Sequence, residues 1–438
     1  MRIDWTRWLA GAVIACCAAA AQATPQIQHW QAPSGAQVYF VEDHDLPMLD
    51  VAVSFPAGSA YDSPDAKGVA ALVHGLLDLG VEGMDEDEIA RRLADVGAQL
   101  GGAFDADRAS ITLRTLSSAP EREAALDILA RVLQRPAFPE SVLAREKARQ
   151  IAALHEAETK PEYLAEKAFG QAVFGDHPYG WQTEVADIEK IERPQLERFY
   201  HAHYRAGSAV VALMGDISRS EAEIIVQRLT GELAAGRADT TLPPVRTPIA
   251  PIEQRIAHPA TQSHILLGAP GIARDDPDYF PLYVGNYVLG GGGFVSRLMH
   301  EVREQRGLAY SVYSYFMPMR QSGAFQIGLQ TKKEQADEAL QLVRKVLRDF
   351  IARGVSKQEL RAAQDNLIGG FPLRIDSNKK ILDYLSVIGF YGLPLTYLDD
   401  FTRRVEAVTA QQVRDAFQRR IDPQAMATVL VGAPGAAK

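Results

Sequence analysis

Apolar residues recur along this chain with two different periods, and each change of period marks an element. Between Gly68 and Gly80, "GVAALVHGLLDLG" places Val69, Leu72, Val73, Leu76 and Leu77 on one helical face, which predicts an amphipathic helix. "EREAALDILARVLQ", Glu121 to Gln134, does the same with Ala125, Leu126, Leu129 and Val132. "QVYFVED" and "LDVAVSF", starting at Gln37 and Leu49, are instead short runs rich in β-branched and aromatic residues, as strands are. Further on, Phe294, Leu298 and Val302 recur at every fourth position and predict a helix running to Gln305. Gly307 stops it, and "AYSVYSYF" from Ala309 predicts a strand.

The periodic pattern lapses once. From Ala234 to Glu253, "AAGRADTTLPPVRTPIAPIE" carries Pro243, Pro244, Pro248 and Pro251 and reads as an extended linker. On either side of it the chain repeats itself. "SITLRT" from Ser110 followed by "ALDILARVL" from Ala125 matches "QIGLQT" from Gln326 followed by "ALQLVRKVL" from Ala339. "VVALMGD", Val210 to Asp216, matches "ATVLVGA", Ala427 to Ala433. The three matches share nearly the same offset, the mark of a duplicated domain. The expected organisation is a leader over 1–23, a first domain over 24–236, a linker over 237–253 and a second domain over 254–438. Strands cluster at the ends of each half with long helices between. They predict an α+β fold: two tandem homologous domains, each a mainly antiparallel sheet with helices packed on one face.

Composition narrows the class. With 47% hydrophobic and 23% charged residues the chain reads as a soluble globular protein, and a net charge of -9 lacks the basic footprint of a nucleic-acid binder. There is no Walker loop and no cysteine-based zinc cluster. The first residues, "MRIDWTRWLAGAVIACCAAAAQA", combine Arg2 and Arg7, an apolar run from Trp8 to Ala21, and a small-residue "AQA" site ending at Ala23. This predicts a cleaved export signal, with lipidation at Cys16 or a membrane anchor as the competing readings; the run is short for a spanning helix. Cys16 and Cys17 both lie inside the leader, so the mature chain has no disulfide and no thiolate chemistry. No later run is long enough to span a bilayer, and a Gram-negative source would place the protein in the periplasm.

The helix at Gly68 is preceded by "FPAGSAYDSPDAKG" and followed by "LADVGAQLGGAFDADRASITL". This succession resembles the pitrilysin/insulinase family of zinc metallopeptidases, the inverted zincins. Catalytic members begin the helix with a pattern close to G-x-A-H-x-x-E-H, two histidines binding zinc and the glutamate activating water. Gly68 and Ala70 match that pattern, but Ala71 and Gly75 stand where the histidines belong and His74 where the glutamate belongs. The third ligand, a glutamate in a segment similar to "EKARQIAALHE", falls on Ala152 or Ala153. The resemblance therefore implies an emptied zinc site and no metal in this chain. His74 and Asp78 form an i, i+4 pair able in principle to touch a metal, but two ligands without a third make a poor zinc site. "HAHY", His201 to Tyr204, adjoins a strand and reads as fold rather than ligand.

"LGGGGFVSRLMHEVREQRGLAYSVYSYF", from Leu289, carries the stronger signal. Pattern alone puts Arg303 and Tyr310 on either side of a tight helix-to-strand turn, where both can reach one ligand or can simply be solvated and packed. The segment is similar to the family's second domain, whose Arg-x6-Tyr pair falls on Arg303 and Tyr310. That resemblance implies that both hydrogen-bond substrate and oxyanion at a zinc site across a domain or subunit boundary. Gly290 to Gly293 resemble the family's glycine-rich loop, which gives Gly291 and Gly292 as candidate substrate-binding positions; a nucleotide fingerprint lacks its βαβ context. "FGDHPYG", Phe174 to Gly180, extends the resemblance in the first half. Some bacterial members are two-chain enzymes in which one chain holds zinc and the other the arginine/tyrosine pair. The expectation is a periplasmic, peptide-degrading heterodimer with a homologous zinc-bearing subunit, this chain assisting catalysis. The rivals are a non-enzymatic peptide-binding or assembly protein and a peptidase with unrecognised ligands.

Overall fold

The structure, a computed structural model, describes residues 25–432. The expected leader with Cys16 and Cys17, and Ala433 of the last repeat match, lie outside them.

Two mixed, mostly antiparallel sheets form the frame. The first contains β1 (Gln28–Gln31), β2 (Gln37–Glu42), β3 (Met48–Phe55), β4 (Gln99–Phe104), β5 (Ala109–Leu116) and β6 (Val210–Gly215), ordered β1-β2-β6-β3-β5-β4. The second contains β7 (Ile252–Ile256), β8 (Gln262–Pro270), β9 (Val312–Phe316), β10 (Ala324–Lys332) and β11 (Ala427–Val431), ordered β7-β11-β8-β10-β9. Apart from β1 the two orders are the same. In each, the last strand of the half inserts beside the first in parallel, β6 along β2 and β11 along β7, while every other pairing is antiparallel. The repeats seen in sequence occupy equivalent places: "SITLRT" lies in β5 and "QIGLQT" in β10, and each leads into a long helix, Ala119–Gln134 and Ala336–Arg353. β7 starts at Ile252, so the last two residues of the expected linker already belong to the second sheet.

Each half covers one face of its own sheet with its own helices. In the first, Val38, Phe40, Val51 and Val53 meet Leu72, Leu76 and Leu129 in one buried core. The other face of each sheet is covered by a helix from the opposite half. Helix Pro161–Phe174, from the first half, lies on β8 and β11, burying Ala165, Phe169 and Val173 against Leu266, Val429 and Val431. Helix Asn378–Tyr391, from the second half, lies on β2, β3 and β6, burying Ile381, Leu385 and Ile388 with Tyr39, Ala52 and Ala212. Glycines permit both approaches: a Cβ at Gly268 would come within 2.6 Å of the Phe169 ring, and one at Gly389 within 2.5 Å of Val210.

A buried carboxylate pins the same junction. Asp107, in the β4–β5 turn, is fully buried. It accepts hydrogen bonds from Tyr179 Oη at 2.5 Å, Tyr391 Oη at 3.0 Å and the Arg320 backbone N–H at 2.7 Å. Tyr391 and Arg320 belong to the second half. Beside Tyr179, His177 donates from Nε2 to the Pro243 carbonyl at 2.9 Å and accepts the Tyr179 N–H at 3.1 Å, tying the proline-rich linker down. Among the described residues no helix is long and apolar enough to cross a membrane.

Exchanged helices are expected to make the halves unfold as one unit. Phe169→Ala, which empties the contact between Pro161–Phe174 and the second sheet, is expected to cost about 3 kcal/mol. In a urea titration followed by fluorescence and circular dichroism, it should shift one coincident transition rather than split it into two.

Candidate functional site

The helix carrying the degenerate metal positions spans Val69–Leu76, shorter than the expected Gly68–Gly80. Gly68 precedes it in the left-handed region at φ 96°, and Asp62 caps it, accepting from the Gly68 N–H at 2.7 Å and the Ala70 N–H at 2.8 Å. Burial pushes the Asp62 carboxyl up to about 6 despite those two bonds. Val69, Leu72, Val73 and Leu76 face the core, as their spacing predicts. Ala71 and His74 are half-buried and Gly75 is exposed, with nothing within 4 Å of where its Cβ would stand. Ala152 and Ala153 are exposed on helix Glu140–Ala157.

These residues do not fit a zinc ion. Ala71, Gly75, Ala152 and Ala153 offer no side-chain donor. The one imidazole stands without the companions a zinc ion needs: His74 Nε2 donates to the Ser110 carbonyl at 3.2 Å and its ring packs on Phe104 with centroids 5.5 Å apart, which leaves one ring nitrogen and no second histidine. Burial lowers the His74 pKa and raises that of Asp78. Among the described residues no group of three or more His, Cys, Asp or Glu side chains is arranged to hold a metal. His203 is also a fold residue, donating from Nδ1 to the Pro56 carbonyl at 3.0 Å.

The second half does bring its two expected residues together. The Arg303 guanidinium lies 5.3 Å from the centroid of the Tyr310 ring. It also lies 4.9 Å from the ring of Phe294. Tyr310 is 80% exposed, Phe294 66% and the neighbouring Val295 74%, so the group forms an outward-facing cluster. The neighbouring acids are taken: Glu304 faces His300 at 3.1 Å and Glu301 faces Arg306 at 3.2 Å. The Arg303 side chain has no carboxylate or hydrogen-bond partner of its own among the described residues. Aromatic rings engage the flat faces of a guanidinium and leave the N–H groups in its plane free to donate.

Two expectations need correcting here. Phe294 is not on the helix with Leu298 and Val302; it sits in a short 3-10 turn, Gly293–Val295. The helix begins only after Ser296, whose backbone is extended and whose Oγ accepts the Met299 N–H at 3.4 Å, in the manner of an N-cap. That serine was the available sequence signal for releasing Phe294 to the surface. Likewise the strand starts at Val312, not Ala309, so Tyr310 stands in the turn before it. Gly307 ends the helix as expected, at φ 63°, with its N–H on Arg303 O and the Leu308 N–H on Val302 O. The final turn, Met299–Glu304, is a wide π turn.

The glycine run divides by position. A Cβ at Gly290, Gly291 or Gly292 would meet Ser314, Asn286 or Tyr287 at 2.4, 2.7 and 2.7 Å, so these three let the chain pack tightly. Gly293 alone has open space and a left-handed φ, 61°, which turns Phe294 outward.

A second arginine anchors this helix. Arg297 binds both oxygens of Glu359, Nε at 2.6 Å and Nη2 at 2.7 Å, and donates to the Gly354 carbonyl at 2.9 Å. Arg297 together with the Ser356 N–H holds the Glu359 carboxyl down at about 2. A depressed carboxyl stabilises the fold above its unfolded pKa and ceases to do so as pH falls through the folded value. Glu359→Gln should therefore lose about 1 kcal/mol at neutral pH, a figure reduced for solvent screening of a part-exposed pair. In urea titrations at stepped pH, that difference from the parent should shrink between pH 4.5 and 2.

Residues 38–186 match the family described as insulinase, peptidase family M16, and residues 190–367 match the peptidase M16 inactive domain. The crystal structure of a peptidase M16 inactive domain from Pseudomonas fluorescens superimposes with a TM-score of 0.90 and 39% identity, covering 94% of this chain and 99% of that one. A Helicobacter pylori protein named non-peptidase homolog YmxG is 28% identical over 384 residues, 86% of this chain and 87% of that protein. A Bacillus subtilis protein named uncharacterized zinc protease YmxG is 24% identical over 414 residues, 93% of this chain and 99% of that protein.

Proposed function

This chain belongs to the insulinase family of M16 peptidases, and from that premise we propose that it is the non-catalytic subunit of a two-chain zinc peptidase. The observation that carries the reading is Arg303, beside the exposed rings of Phe294 and Tyr310, in a chain whose own metal positions are Ala71, His74 and Gly75. The partner is a homologous zinc-bearing subunit, the substrates are peptides, and the complex works in the periplasm. Arg303 and Tyr310 donate hydrogen bonds to the substrate carbonyl and to the oxyanion that forms when it is attacked. Gly291 and Gly292 shape the loop that admits the substrate backbone, and Phe294 and Val295 add apolar contact. Fixed donors placed where negative charge develops lower a barrier by about 3 kcal/mol each.

A second reading is a non-enzymatic peptide-binding or assembly protein. The name of the Helicobacter pylori relative, a non-peptidase homolog, favours it. Self-sufficient catalysis through His74 and Asp78 is disfavoured, because no third ligand joins them among the described residues.

Two measurements separate these readings. Arg303→Ala should lower kcat/KM of the complex, reconstituted with a homologue bearing intact H-x-x-E-H, by about a hundredfold without moving its thermal unfolding. Unchanged activity would support the non-enzymatic role. The mature chain purified alone from zinc-supplemented medium should carry no zinc. One zinc per chain, lost in His74→Ala, would establish a metal centre of its own.

A further inference from the structure

The segment "FGDHPYG", Phe174 to Gly180, takes no part in the proposed chemistry, yet it stands where the two halves and the linker meet. Its turn is compact: a Cβ on Gly180 would come within 2.9 Å of the Gly175 carbonyl oxygen. His177 is buried there, and both of its ring nitrogens are engaged. Their partners leave no choice of tautomer. The Pro243 carbonyl can only accept, so Nε2 carries the proton; the Tyr179 backbone N–H can only donate, so Nδ1 must be bare. Geometry alone thus holds the ring in its neutral form.

Tyr179 carries this constraint across the junction. Its Oη donates to Asp107 and accepts the Gln321 N–H at 3.1 Å, while the Arg320 N–H reaches the same carboxylate. Arg320 and Gln321 belong to the second half. A proton on Nδ1 would set donor against donor across 3.1 Å, and the bond to the Tyr179 N–H would be lost. Such a proton has a route: His177 borders a cavity of about 460 Å³ that it shares with Asp176, Pro243 and Arg246, and Asp176 and Arg246 are exposed.

The charges around the ring are mixed. Asp107 from the β4–β5 turn and Asp176 from its own segment favour protonation, whereas Arg246 from the linker and Arg320 from the second half oppose it. Tyr61, packed from the turn Ser59–Tyr61, stays a neutral phenol with its pKa pushed up to about 12. Helix Pro161–Phe174 meets the ring through Phe174, 6.3 Å away. Burial is the largest influence and lowers the His177 pKa. The unfolded chain therefore takes up the proton first. The contribution of the neutral ring is complete above the ordinary histidine value of 6.5 and is lost as pH falls below it towards the lowered folded value.

We propose that this segment is a pH-sensitive latch between the halves: protonation of His177 expels the Tyr179 N–H, and the turn releases the Arg320–Gln321 segment of the second half. The latch lies within this chain and does not depend on the partner-assisted reading.

The test is hydrogen exchange of the mature chain at pH 7.5 and 5.0, read by mass spectrometry over 175–183 and 316–323 and corrected for the intrinsic effect of pH. Lowering the pH should reduce protection of both segments about fivefold, the size of one lost hydrogen bond. In His177→Asn the loss should vanish, because an asparagine Oδ1 accepts the N–H two residues on and does not titrate. Asp62 and His203 also respond to pH, but they remain in both proteins and cancel in the difference. Unchanged protection in the parent overturns the proposal, as does an equal loss in His177→Asn or a loss confined to 175–183. Should His177→Asn fail to fold, Tyr179→Phe decides the matter. Without the phenol oxygen, pH should still move 175–183 and no longer move 316–323; a loss at 316–323 equal to the parent's overturns the latch.

Discussion

Each sheet in this protein has two apolar faces and, within its own half, helices for only one. β2 shows the constraint residue by residue. Val38 and Phe40 enter the core made by the first half's helices, while Tyr39 and Val41, pointing the other way, enter the core built around the helix from the second half. Left uncovered, that second face would put a broad apolar surface in water. The exchange of Pro161–Phe174 for Asn378–Tyr391 answers the demand on both sheets together, and it fixes the halves relative to each other. Asp107 adds direction to this apolar contact, because three donors from separate segments must converge on one carboxylate.

Within that rigid frame the two copies have diverged in corresponding places. In each, a helix leads into the edge strand of its sheet. In the first copy this is Glu86–Asp95, whose arginines pair with its own acids, Arg91 and Arg92 both with Glu88. In the second it is the helical segment ending at Glu304, which carries a half-buried Arg303 and is flanked by exposed Phe294 and Tyr310. Meanwhile the first copy's helix Val69–Leu76 keeps its apolar stripe and has no metal donors at the expected positions. Selection for folding accounts for the stripe, since the core needs those side chains. It does not account for an exposed aromatic pair around an unpaired cation.

Much of this was legible in the sequence because it is written locally. Strand composition, helical spacing and the repeat offsets are properties of short windows, and the structure places them in equivalent strands and helices. The helix exchange was not legible, because an apolar stripe reports that a helix is buried but not which sheet buries it. A hint existed in "VYFV" within β2, apolar on both faces, as in sheets covered on both sides. Phe294 was misplaced because its spacing fits the helical period, and the capping geometry of Ser296 outweighs the period there.

The two arginines at the ends of one short helix show how structure separates an anchoring role from a reactive one. Both are cations on the same segment, six residues apart. Arg297 spends its in-plane donors on Glu359 and Gly354, so it can hold the helix but has little left to offer a ligand. Arg303 lies within cation–π distance of two rings, 4.9 Å from Phe294 and 5.3 Å from Tyr310, a modest interaction of about 0.5–1 kcal/mol near the surface. That contact limits its motion without consuming its hydrogen bonds. A group meant for stability would be better served by Glu301 or Glu304, which lie on the same turn but pair with Arg306 and His300 instead. The local charges are thus arranged so that the anchor is saturated and the Arg303 guanidinium is not, the condition a donor must meet if it is to bind an incoming carbonyl.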